Sequence, residues 1–75
     1  MTSYTLEIDA RMNVAMVQVK EDSGDVVDFQ IDYSPSTGNI DFADRWLLER
    51  DYGEEFVRGL VADIEGRIRE VLKKK

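Results

Sequence analysis

Two runs of alternating apolar residues flank Asp22-Ser23-Gly24, and their spacing constrains the fold more than any other feature of the chain. Ala15, Val17 and Val19 precede the tripeptide; Val27, Phe29, Ile31 and Tyr33 follow it. A period of two marks a half-buried strand, because successive side chains point to opposite faces. A three-residue hairpin loop ends on a residue in the left-handed conformation, which Gly24 adopts without a steric penalty. Such a loop sets Val19 opposite Val27, Val17 opposite Phe29, and Ala15 opposite Ile31. Apolar positions then meet apolar positions, and a slip of one residue would turn all of them to solvent. The two strands are expected over Val14 to Glu21 and Asp25 to Ser34.

The same alternation appears earlier, where Tyr4, Leu6, Ile8 and Ala10 interleave with Thr5, Glu7 and Asp9. A turn near Arg11-Met12-Asn13 returns this strand against the second. After the hairpin, Pro35-Ser36-Thr37-Gly38 reads as a turn. A short fourth strand, Asn39 to Phe42, then places Ile40 opposite Tyr33 and Phe42 opposite Ile31.

The period changes beyond Tyr52. Phe56, Val57, Leu60, Val61, Ile64, Ile68, Val71 and Leu72 recur at three and four, filling an arc of about 160° on a helix. The helix is expected from about Tyr52 to Lys73, with Asp51 and Glu54 spaced as a capping box. The predicted fold class is α+β: an antiparallel meander of three or four strands, covered on one face by one long C-terminal helix (β-β-β-β-α). Residues 1–75 are read as a single domain. The segment Ala43 to Arg50, with its contiguous Trp46-Leu47-Leu48, is either a helical turn or an irregular crossover.

Composition excludes several functions. Cysteine and histidine are both absent from the 75 residues. No disulfide framework, ordinary zinc site or histidine-activated serine can therefore form. Gly24 and Gly38 are isolated turn glycines, not a phosphate-binding loop. No apolar run is long enough to cross a bilayer, and Met1-Thr2-Ser3-Tyr4 lacks the basic start of a signal peptide. The expectation is a cytoplasmic, non-enzymatic protein with no cofactor, metal or identified small-molecule substrate. Charge is uneven: residues 1–44 hold nine acids and two bases, and residues 45–75 seven acids and eight bases. The acidic half should repel phosphate, arguing against nucleic acid. Lys73-Lys74-Lys75 complements the negative end of the helix dipole. Near-equal acids and bases in that helix make membrane binding weak.

What remains is a contact surface. By the strand register, the sheet face away from the helix carries Met12, Val14 and Met16 beside Val26, Asp28 and Asp32. An apolar stripe among acids suits a partner-binding surface, since methionine adapts to partner shape. The expected function is a protein-binding or assembly module that self-associates, as a homodimer, through this open face or an exposed edge. The alternative is an acidic decoy or regulator that occupies a basic, nucleic-acid-binding surface of another protein. Asp41 falls opposite Asp32 and could gather with Asp28 around a hard cation, although a solvated acidic face is the plainer reading. Gly59 and Gly66 form, with Ala62, a strip of small residues on the outer side of the helix.

Overall fold

A computed structural model describes residues 2–74; Met1 and Lys75 of the terminal motifs lie outside the described residues. The alternating segments form one antiparallel sheet in the order β1 (Ser3–Asp9), β2 (Val14–Lys20), β3 (Val26–Tyr33) and β4 (Ile40–Asp41). The central register is the one that loop length dictates: Val19 faces Val27, Val17 faces Phe29 and Ala15 faces Ile31. Glu21 N–H donates to the Asp25 carbonyl and Gly24 N–H to the Glu21 carbonyl, each at 2.9 Å. Gly24 has φ +96. This is a three-residue loop closed by a glycine in the left-handed region.

Two ends of the sheet differ from expectation. Met12 is not on β2 but in the β1–β2 turn, because the Asp9 carboxylate accepts the amides of Arg11 and Met12 at 3.0 and 3.2 Å. That turn takes up Ala10 to Asn13, so the strand starts at Val14. The fourth strand is only two residues long. Phe42 leaves the ladder and stacks on Phe29 with ring centroids 6.3 Å apart, rather than facing Ile31.

The helical half divides in two. Arg45–Tyr52 forms α1 and Glu54–Lys73 forms α2, with Gly53 (φ 92, ψ 154) between them. The expected capping box does not form: Asp51 lies within α1, and its carboxylate accepts from Arg50 Nε at 3.3 Å. Nothing in α1 is fully buried. By contrast, α2 buries Val57, Leu60, Val61, Ile64 and Ile68. Leu60, Ile64 and Ile68 pack on Ala15, Val17, Val19, Ile31 and Tyr33, with Tyr4, Leu6 and Ile8 at the margin. A methyl group added at Gly59 or Gly66 would meet nothing within 4 Å. The small-residue strip is therefore open on the outer side of α2.

Two tyrosines tie the layers together. Tyr52 donates to Glu21 at 2.9 Å, fastening the end of α1 to the central hairpin. Tyr4 donates to Asp63 at 2.7 Å and sets its ring edge-on to Phe56. Burial, the hydrogen bond to Asp63 and that carboxylate's charge push the Tyr4 hydroxyl up to about 12, against a lesser opposing effect of Arg67. A hydroxyl whose pKa is raised by folding favours the folded state fully below its unfolded pKa of 10.0. That contribution is lost as pH rises through the folded value. We expect stability to fall between pH 10 and about 12, and Tyr4→Phe to flatten this part of the curve. Denaturant melts across that range, with tyrosinate absorbance recorded in parallel, would check it. An unchanged profile in Tyr4→Phe would assign the loss to other groups.

Candidate functional site

Tyr4, Leu6 and Ile8 point into the core, so alternation turns Thr5, Glu7 and Asp9 to the opposite face. The even residues of β2 and β3 join them. Across three strands this gives the rows Glu7–Met16–Gln30 and Thr5–Gln18–Asp28. These rows line a shallow trough of about 640 Å³. Gln18 Nε2 donates to Asp28 Oδ1 at 3.0 Å across its middle.

The residues expected to form an apolar stripe are dispersed. Met12 stands in the turn, 70% exposed, while Val14 is only 7% exposed. In the ladder Val14 sits between Asp9 and Asp32. Met16 is half-buried on the trough floor, and Val26 is 50% exposed next to the hairpin. Asp28 and Asp32 are both exposed. Asp32 does face Asp41, but Asp28 lies four residues further along β3, about 13 Å away along the strand. Among the described residues no group of three or more carboxylates could hold a metal ion.

A second feature lies at the β3 edge. Ser34 N–H donates to the Asn39 carbonyl at 2.8 Å, on the β4 side. Tyr33 N–H donates to Asn13 at 3.0 Å, on the β2 side. Backbone direction alternates along a strand, so Asp28 and Gln30 aim their N–H and C=O groups away from β2. The β4 ladder pairs only with Asp32 and Tyr33. From Val26 to Gln30 the strand therefore has no strand neighbour on that side among the described residues.

This free edge forms one wall of a groove of about 410 Å³, and α1 forms the other. The apolar lining comes from Val27, Phe29, Phe42, Leu47 and Leu48. Asp32, Asp41, Asp44 and Asp51 also line it, and among the described residues no base does. Asp51 shares its charge with Arg50, which also stacks over Trp46 at 5.8 Å. Trp46 is 61% exposed. The contiguous Trp46-Leu47-Leu48, read from the sequence only as a helical turn or a crossover, supplies the two leucines of this wall. Its leucines face the sheet edge because a helix, unlike an irregular crossover, divides neighbouring side chains between faces.

No family model matches the chain, and neither a curated protein nor a solved structure matches it. No helix among the described residues is long and apolar enough to cross a membrane.

Proposed function

We propose that this chain is a non-catalytic protein-binding module that receives its partner on the uncovered side of the sheet and along the free part of β3. The observation that carries this reading is one-sided cover. The helical layer occupies a single face, leaving a polar trough with Val26 exposed at its end, and among the described residues the five from Val26 to Gln30 have no strand on their outer side, where Val27 is also exposed. Unpaired edges are usually blunted by bulges, prolines or inward charges. Val26 to Gln30 carries no proline, its one charge is Asp28, and α1 stands off it across a groove rather than covering it.

Self-association through the Met12–Val14–Met16 stripe draws less support, since burial of Val14 breaks the stripe. Face-to-face pairing would also oppose Glu7 and Asp28 of two copies in a chain of net charge −6. The favoured partner is a different protein. The idea of an acidic regulator fits within this reading, because among the described strand residues the uncovered face presents Glu7, Asp9, Asp28, Asp32 and Asp41 against one base, Lys20.

Selection of a random peptide library against the chain tests the proposal, with bound sites mapped by backbone amide shifts. The shifts should fall on β2 and β3. Peptides that map to the outer side of α2, or a selection that yields none, would count against it. Light scattering should give 8.6 kDa at low and high salt. A salt-insensitive dimer that Met16→Glu abolishes would return the reading to self-association.

A further inference from the structure

The geometry points to a specific occupant for the groove between β3 and α1: we infer that it takes an extended partner segment of alternating basic and apolar residues, added as a fifth strand. The inference rests on the binding-module reading and deepens it. Three properties of the groove act together. The backbone groups of Asp28 and Gln30 offer hydrogen bonds spaced for a strand, the form of recognition in which main-chain pairing supplies affinity. A strand laid there sends alternate side chains to opposite faces. One set meets Val27, Phe29, Leu47 and Leu48, and therefore has to be apolar. The other set emerges beside Asp28, Gln30 and Asp32 on the open face, where lysine or arginine is the complement. Asp41 and Asp44 extend the negative rim at the β4 end.

A second copy of this chain is a poor occupant. Antiparallel pairing of β3 with itself over all five free residues centres on Asp28 and sets two carboxylates directly opposite, which is destabilising. Sliding the copy towards β4 drives its hairpin into Asp41, and sliding it the other way shortens the pairing. Phosphate-bearing ligands meet the same acidic rim and are repelled.

The test uses a capped synthetic peptide of about seven alternating lysines and valines, long enough to span the free edge at roughly 3.3 Å per residue. It is titrated into the full chain at low salt, with amide shifts and calorimetry as readouts. Asp28 and Gln30 amides should move. Of two isomers N-methylated on alternate amides, one should bind and the other should lose binding, because only one edge of the peptide faces β3. A double variant, Asp32→Asn with Asp44→Asn, should bind about fivefold more weakly, in line with the loss of two exposed ion pairs. Both residues are exposed, and removing Asp32 relieves its opposition to Asp41, so the variant should fold. A glutamate-for-lysine peptide should not bind. The inference is overturned if both methylated isomers bind equally, if the double variant binds unchanged, or if Asp28 and Gln30 stay silent. When library-selected peptides still shift trough residues in that last case, the groove reading fails and the module reading stands. When neither probe shifts β2 or β3, both fail.

Discussion

Replacing Leu60 by alanine is expected to remove about 2–5 kcal/mol of stability, the range for truncating a buried leucine. A chain of this length has roughly 4–11 kcal/mol in total, so the variant should forfeit a large share of its stability. The reason is architectural. Leu60 is fully buried between α2 and the central strands, in a cluster with Ala15, Val17, Ile31 and Ile64. With a single helical layer on one sheet among the described residues, there is no further layer to relax into the space left behind. The residual cavity therefore adds its own cost, about 24 cal/mol per Å³. Leu48→Ala provides the contrast. Leu48 lines the groove on α1, where nothing is fully buried, and its truncation should cost markedly less. Urea denaturation of both variants checks this, provided the slope of free energy against denaturant is unchanged. A Leu60→Ala loss below about 1 kcal/mol, or one matched by Leu48→Ala, would mean that α2 is not the element closing the core.

The different weights of these leucines show what the sequence carried and where it fell short. The strand register was legible because two independent signals agreed: the period-two pattern of Val17 and Phe29, and the three-residue loop ending on Gly24. The long helix was legible because its apolar arc from Phe56 to Leu72 admits no strand. The candidate surface was harder to read. Alternation correctly assigns Val14 to the face away from α2, yet it says nothing about shielding there. Val14 sits between Asp9 and Asp32 in the ladder and is almost inaccessible. Met12 failed differently. The alternation ran smoothly from Val14 back to Met12, and only the Asp9 carboxylate, by capturing two turn amides, ended the strand first. The groove was missed because it depends on β4 being two residues long. Asn39 to Phe42 reads as a strand, but Phe42 stacks on Phe29 instead of continuing the ladder, and β3 is left open beyond Asp32.

The shortness of β4 leads to a second large effect. Gly38→Ala is expected to cost about 1–2 kcal/mol from backbone conformation alone, since it forces a side chain into the left-handed region. Gly38 has φ +79, and its amide donates to the Ser34 carbonyl at 2.8 Å. The loop it closes lies against the end of α2: an added Cβ would stand 3.4 Å from Leu72 Cδ1 and 3.7 Å from Ile68 Cγ2. The first distance stands at the near limit of ordinary van der Waals contact, which leaves no slack against Leu72. Gly24 has φ +96 but open space around it, so Gly24→Ala bears the backbone strain without the contact. Gly38→Ala should therefore be the more destabilising of the pair. It should also speed hydrogen exchange at Ser34, whose amide holds β4 in place through Asn39. Equal losses in the two variants would show that Leu72 yields freely. Unchanged exchange at Ser34 would show that the β3–β4 pairing does not depend on this turn. Loss of that pairing would lengthen the free edge of β3 past Asp32 and remove Asp41 from the groove rim. The same variant therefore connects a turn glycine to the surface proposed for binding: as β4 loosens, an alternating lysine–valine peptide should gain edge backbone to pair with while losing one carboxylate to attract it.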